Sequence, residues 1–431
     1  MATKLTRRST FVVPGAILLG GSAAARAATP GLAQDAAELR FFNWTGANAE
    51  PEFEAMLAEF TEANPTIRIT SETVAGSGAA IYPDVLRTSI AGGDPPDLFY
   101  MWGGSIAAPF VEADQVLPLD DYYAEYNWAE RLVPWAVEAM QVDGTYFGVP
   151  KATRGMGFWY RKDIFEQNGI EIPQTYADLE AAATTLKANN IAALSLGGKF
   201  GWNTMRLLDY FIELEAGPEL HDQLNRLEAS WDSPEVVAAY QHLKTWVDNG
   251  WIVPGFLSVS PDDARQPWYR GEAAMVFEGD WLEGVLKGDE QDTANFDFFI
   301  PPTGHDPLRM SGFPEQVMIT RDSGNPDAAA AFLDWFLQPE IQQKYFQALG
   351  GSTGVLNAFP SEEEFPLSVK WRQIIETSDA YPPTDQAFRK ELMDAFFAVQ
   401  DAIVAGATTP EDGAKEMQAR AEEWLAEHGS V

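Results

Sequence analysis

The sequence predicts an α/β fold. Short strand-like apolar runs alternate with runs of helical period along most of the chain, and Gly- and Pro-containing breaks separate them. The 431 residues are 46% hydrophobic and 22% charged, which suits an ordinary globular core and a length of two or three domains. Alternation of this kind implies a largely parallel sheet covered by helices. Such sheets bind ligands at the carboxyl ends of their strands, where loops and helix N-termini meet.

The elements follow in order. Residues 39–44 read as a strand ending at the Thr45-Gly46 loop. Phe53, Met56, Leu57 and Phe60 have helical spacing within 50–62, and Asn64-Pro65 stops the helix. Residues 67–70 alternate as a second strand, and 82–90 form a helix closed by Gly92-Gly93. A third strand over 97–101 delivers the chain into Trp102-Gly103-Gly104. Residues 147–150 are an extended connector and 157–160 are again strand-like. Helices dominate 164–250, with breaks at Pro173, Gly197-Gly198 and Pro234. A strand over 272–277 opens into Glu278-Gly279-Asp280-Trp281, and the last clear strand is 316–320. Helices follow over 325–336 and 340–349, and 411–428 is an amphipathic helix. The acidic run 361–364 reads as a solvated turn or helix start.

Composition excludes several functions. With 29 Lys and Arg against 64 Asp and Glu, the net charge of −35 repels phosphate backbones and anionic lipid. No nucleic-acid partner is expected. The chain has no cysteine, hence no disulfide, thiolate metal site or cysteine nucleophile. Lys4, Arg7 and Arg8 precede a mostly apolar stretch over 11–25, too short and glycine-rich for a good membrane span. Small residues at Ala25-Arg26-Ala27 and Gly31-Leu32-Ala33 complete the layout of an export signal over 1–33. Residues 6–11 resemble a twin-arginine signal with its large apolar residue displaced by one, to Phe11; a general secretory signal carrying two arginines is the alternative. Residues 1–33 hold four cations and no anion, so a chain starting at Gln34 carries −39. It is expected to be soluble outside the cytoplasmic membrane.

Signals for catalysis are weak. His221, His242, His305 and His428 are scattered, with no metal-ligand spacing. There is no nucleophile elbow, phosphate loop or calcium loop, and no cofactor or metal is expected. Paired carboxylates could serve a glycosidase, but with 64 acids any two can be nominated.

Tryptophan is more informative. Of 14, Trp44, Trp102 and Trp281 fall at strand-to-loop junctions, and Trp202 in a glycine-flanked loop. Each stands beside Gly, Asp or Asn, a pattern that points to a ligand cleft. Flat indoles match the C–H faces of sugar rings, and hiding about 50–100 Å² of apolar surface is worth roughly 1–3 kcal/mol. Neighbouring amides, carboxylates and guanidinium groups supply directional bonds to hydroxyls. Trp246, Trp335, Trp371 and Trp424 lie on helical faces and read as packing residues.

The chain resembles family 1 extracellular solute-binding proteins, the maltose-binding-protein-like receptors of ABC sugar importers, from about residue 38 to 427. The markers are Asp94-Pro95-Pro96-Asp97-Leu98 before Trp102; Val116-Leu117-Pro118-Leu119-Asp120; and Val149-Pro150 followed by Trp159-Tyr160-Arg161-Lys162-Asp163. Pro173-Gln174-Thr175-Tyr176-Ala177-Asp178-Leu179 follows, with Tyr176 where relatives have tryptophan. Arg270-Gly271-Glu272-Ala273-Ala274-Met275 before Gly279-Asp280-Trp281 is the most specific. The order of these markers carries the likeness.

The resemblance implies the two-lobed, type II periplasmic-binding-protein fold, with a ligand cleft between lobes joined by hinge strands. One lobe would comprise 36–149 and 313–355, the other 150–312 and 356–431, with Val149-Pro150 and Phe313-Pro314 near the crossings. Trp102 and Trp281 take positions that commonly stack on sugar in the family, and Trp202 falls where relatives present aromatics. Asn43 and Trp44 occupy a frequently used junction, and Glu278 and Asp280 are candidate hydroxyl acceptors, with turn capping the alternative. Arg154 replaces a ligand-contacting carboxylate of maltose-binding relatives, which blocks transfer of maltose specificity. Trp159 is expected to pack under the hinge.

The function expected is capture of a mono- or oligosaccharide by stacking and hinge closure, without catalysis, and delivery by a periplasmic monomer to a membrane permease. The alternatives are a secreted glycosidase or lyase, or a receptor for a polyamine or sugar acid.

Overall fold

The computed structural model describes residues 36–45, 49–75 and 82–429. The expected export signal over 1–33, Gln34, and Gly46 of the first loop lie outside the described residues. The strands are β1 (Ala37–Thr45), β2 (Ile67–Ala75), β3 (Leu98–Trp102), β4 (Gln141–Val142), β5 (Thr145–Tyr146), β6 (Val149–Arg161), β7 (Ala192–Ser195), β8 (Ala273–Gly279), β9 (Phe296–Phe299), β10 (Met310–Ile319) and β11 (Ala380–Tyr381). The main sheet has the order β2-β1-β3-β10-β6-β8-β7, with β11 beside β10 and β9 beside β6; β4 and β5 form a separate hairpin.

The expectation of a largely parallel sheet holds at the flanks and for the short β11 beside β10. β1 is parallel to β2 and β3, and β7 to β8. In the centre, β10 runs antiparallel to β3 and β6, and β6 antiparallel to β8 and β9. The cause is the length of β6. Its 13 residues extend for about 43 Å at 3.3 Å per residue, so one strand serves both halves of the sheet. Val149–Gly155 pairs with β10, and Met156–Arg161 with β8 and β9. β10 returns in the opposite direction, so the two strands cross side by side with Phe313 opposite Arg154 and Pro314 opposite Thr153.

Separate apolar cores form at the two ends of these crossing strands. The first gathers Leu39, Phe41, Phe53, Phe60, Phe99, Val317 and Phe332. The second gathers Phe158, Leu194, Met205, Phe211, Trp246, Met275, Phe277 and Phe396. A smaller cluster around Trp159, Trp268, Phe298 and Trp371 lies under the crossing, where the Phe298 and Trp371 rings stack at 4.1 Å. Trp159 is fully buried there, as expected. Gly155 is required by this packing: an added Cβ would stand 2.9 Å from the Trp371 ring.

Helix ends follow local chemistry. Thr175 caps Tyr176–Ala188 with a capping box, its hydroxyl accepting from Asp178 N while the Asp178 carboxylate accepts from Thr175 N. The Tyr176 hydroxyl accepts from Trp246 Nε1 at 3.1 Å, which fixes that helix on the second core. Pro234, expected as a break, is instead the first residue of Pro234–Asp248, capped by Ser233. β7 lies within the stretch expected to be helical, and Trp202 belongs to the helix Trp202–Asn225 instead of a loop. Among the described residues no helix is long and apolar enough to cross a membrane.

Candidate functional site

The carboxyl ends of β1 and β3 lie side by side, and each carries a large ring. The Trp44 ring stands 5.7 Å from Trp102 and 5.9 Å from Tyr100, and Tyr100 meets Trp102 edge-on at 4.9 Å. Tyr82 braces the group from its helix, 6.1 Å from Trp102, and donates to Phe42 O at 2.9 Å. Trp44 and Trp102 remain partly exposed above buried Tyr82 and Tyr100. Asn43 is fully buried beside Trp44, and neither its amide nitrogen nor its amide oxygen has a hydrogen-bond partner.

A second aromatic group forms on the other side of the crossing strands. β8 ends at Gly279, where the chain turns through Asp280 into Trp281. Gly279 permits this turn because the Trp281 ring folds back over it; an added Cβ would stand 2.0 Å from that ring. Asp280 N donates to Gly155 O at 3.0 Å and fastens the turn to β6. Trp281 then meets Trp202 at 6.5 Å and Phe313 at 6.3 Å, both edge-on. Gly201, with φ of +76°, starts the helix that presents Trp202. Both indoles are partly exposed.

β10 joins the two groups. Among the described residues no ring contact links them directly. Glu315, however, pairs in register with Trp102, and Phe313, two residues earlier on β10, packs against Trp281. Arg154 on β6 fills the junction. Its Nε and Nη2 donate to the two oxygens of Glu315, each at 3.0 Å, and Nη1 donates to Gly350 O at 2.9 Å. Its guanidinium carbon lies 5.9 Å from the Trp281 ring.

The electrostatics follow from burial. Burial pushes the Glu315 carboxyl up, but Arg154 and Lys151 more than offset this and hold it below the usual carboxylate range. Burial lowers Arg154, and Glu315 and Asp280 more than restore it, so its charge is permanent. Lys151 lies 4.8 Å over the Tyr100 ring, and burial pulls its ammonium down to about 8. Asp280 is raised to about 6, by burial first and against Arg154. One Asp280 oxygen is 3.9 Å from Arg154, and the other is buried without a partner. Glu278 is raised by burial; it accepts from Arg265 Nε at 3.1 Å and from Trp281 Nε1 at 3.0 Å.

The residues singled out from sequence therefore take different places. Trp44, Trp102 and Asn43 gather at one group, and Trp202, Trp281 and Asp280 at the other. Arg154 is committed to a hinge ion pair, and the Glu278 oxygens to Arg265 and the Trp281 indole. Sequence reasoning missed Tyr100, Lys151, Phe313 and Glu315. Phe313-Pro314 had signalled a crossing, but nothing in the sequence marks Glu315 as the partner of a residue 161 positions away. Among the described residues no group of His, Cys, Asp or Glu could hold a metal ion.

Residues 46–343 match the family model for bacterial extracellular solute-binding proteins. An uncharacterised ABC transporter extracellular-binding protein of Pyrococcus horikoshii is 27% identical over 89% of this chain and 82% of its own. A xylose/arabinose-binding protein of Haloferax volcanii is 24% identical over 79% of this chain and 74% of its own. A chitin oligosaccharide binding protein of known structure superposes with a TM-score of 0.80 at 24% identity, covering 91% of this chain and all of that one. That likeness is one of fold: two α/β lobes on shared strands.

Proposed function

Because this chain belongs to the family of bacterial extracellular solute-binding proteins, we propose that it captures a carbohydrate between two lobes and delivers it to the membrane permease of an ABC transporter. The observation that carries this reading is the pair of partly exposed indole groups, Trp44 with Trp102 and Trp202 with Trp281, on either side of β6 and β10. The lobes are taken as 36–149 with 313–355 and 150–312 with 356–431. β6 and β10 form the hinge, and closure desolvates a sugar between the indoles.

The energetics are sufficient. A micromolar dissociation constant needs about −8 kcal/mol. Two or three stacked rings at roughly 1–3 kcal/mol each, with several hydrogen bonds to ionised groups, reach that after ordering costs. The family's members bind solutes and do not transform them. The protein is further taken to be exported by a twin-arginine-like signal over 1–33, to work as a periplasmic monomer without a lipid anchor, and to need no cofactor.

The test is isothermal titration of the purified chain against D-xylose, L-arabinose, chitin oligosaccharides and other neutral mono- and oligosaccharides, with spermidine and uronic acids alongside. A saturable dissociation constant at or below about 10 μM for a neutral sugar supports the reading, since this corresponds to about −7 kcal/mol. Binding of spermidine alone, or of nothing in the panel, refutes it.

A further inference from the structure

A cavity of about 230 Å³ interrupts the packing beside the crossing strands. Val111, Met140, Phe147 and Met318 form one wall, and Ala387 and Arg389 the other. Few but close contacts bridge it. Ser105 Oγ donates to Phe388 O at 2.6 Å, with Asp385 O at 3.3 Å from the same hydroxyl. Gly104, at φ of +61°, lies so near the facing segment that an added Cβ would stand 2.1 Å from Gln386 O. Arg389 donates to the Glu112 carboxylate, which is 59% exposed, so that ion pair is weak and screened. Segment 104–112 thus grips segment 385–389, and neither belongs to β6 or β10. Each end is anchored beside one indole group. Gly103 N donates to Pro314 O at 3.1 Å, and Trp102 O accepts from Gln316 Nε2 at 3.3 Å. Asp385 accepts from Arg206 Nη2 at 3.0 Å, and the Arg206 guanidinium lies over Phe313, which packs on Trp281.

We infer that segments 104–112 and 385–389 form a latch that holds the two lobes open and is released when they close on the sugar. This rests on the two-lobe carbohydrate reading. Trp44, Trp102, Trp202 and Trp281 are all partly exposed in this structure, an arrangement that closure would cover. The two segments stand off β6 and β10, so rotation about those strands slides one past the other. The Ser105 hydrogen bond and the Gly104–Gln386 approach leave no slack for that slide, so they break. The cavity makes the break cheap. A close-packed core resists such motion, whereas a void has few contacts to lose. A latch satisfied only in the open arrangement favours it, and the apparent affinity is the intrinsic one reduced by the fraction of molecules free to close. Loosening the latch therefore tightens sugar binding without altering any group that faces the sugar.

The test uses the full chain with Glu62→Cys and Glu171→Cys, exposed positions on the two lobes of a protein that has no other cysteine, each carrying a spin label. With the latch intact, the best neutral sugar of the panel is expected to shift the distance distribution between the labels. Ser105→Ala with Glu112→Gln is expected to bind that sugar at least threefold more tightly in calorimetry and, without sugar, to populate the sugar-bound distance. Glu112→Gln alone, at an exposed carboxylate, is expected to move both readouts in the same direction and carries the test where the double variant does not fold. Unchanged or weaker binding, or a sugar-free distribution identical to that of the intact latch, overturns the inference; a merely structural contact gives that result together with a lower melting temperature. The reading beneath it fails in a different way. A distribution that sugar leaves unmoved in the intact protein, or no sugar binding there at all, removes closure or the carbohydrate itself, and the latch with it.

Discussion

Arg154→Met removes three hydrogen bonds and one buried charge from the crossing of β6 and β10. The methionine occupies much of the same volume, so the loss is electrostatic. Glu315 keeps its place, only 6% exposed, with Lys151 as its remaining cationic neighbour. Stranding one member of a buried pair costs about 3–5 kcal/mol. With a urea slope of roughly 3 kcal/mol per molar, that moves the unfolding midpoint down by about 1–1.7 M. The pH dependence has a definite sign. In wild type the Glu315 carboxyl is held below its unfolded value, so it stabilises above that value and the benefit is lost only as pH falls through the lower folded one. In Arg154→Met burial dominates and the carboxyl rises above its unfolded value. The penalty is then full at pH 8 and is relieved as pH falls toward 5. Urea titrations followed by tryptophan fluorescence at pH 5, 6, 7 and 8 measure both effects. Adding Glu315→Gln should recover more than half the loss at pH 7. A single variant within 1 kcal/mol of wild type at pH 7, or a deficit independent of pH, would refute this account of the hinge.

Trp281→Ala should weaken the bound sugar at least tenfold, by about 1.4 kcal/mol or more, while the circular dichroism spectrum is unchanged; unaltered affinity in calorimetry would remove Trp281 from the site. Burial raises Asp280 to about 6, so keeping it ionised in the fold at pH 7 costs roughly 3 kcal/mol, a cost that fades as pH falls through about 6. Asp280→Asn should therefore stabilise the unliganded protein at pH 7, flatten its stability between pH 5 and 7, and weaken sugar binding; an unchanged pH profile would contradict the assignment. Thr175→Ala should cost about 1 kcal/mol through loss of the capping box and leave affinity unchanged, since that helix makes its ring contacts through Tyr176 to Tyr210, Phe211 and His242.

The legibility of this chain in its sequence depended on how local each determinant was. The helix with Phe53, Met56, Leu57 and Phe60 shows its buried face as period and was read to within a residue or two. The Gly279-Asp280-Trp281 turn was also legible, because a ring folding over a glycine is a contact within three residues. The sequence shows β6 only as two fragments, 147–150 and 157–160. Twelve successive residues of it are buried, so neither a two-residue nor a helical period survives in the pattern. The glycines before Trp202 signal a break and so suggest a loop there, and the helix that begins at it has no exposed face in its first turns, its polar residues Asn203, Arg206 and Asp209 being buried with the apolar ones. The Arg154–Glu315 pair joins residues far apart in the chain. Arg154 stands out in the sequence only as a departure from the family's pattern, and its commitment to Glu315 appears only when β6 and β10 are assembled.

The place of β10 in the sheet has a consequence for synthesis. β3 ends at Trp102, but its antiparallel neighbour begins only at Met310. At roughly 5–20 residues per second, a ribosome needs about 10–40 s to make the intervening chain. For that interval β1, β2 and β3 hold half a sheet whose inner edge has no strand to receive, and the core containing Val317 and Phe332 is missing those members. A chain truncated before Met310 should therefore expose its first three strands to protease, however long it is given to fold. The strand that completes the first core is made only after β6, β7, β8 and β9.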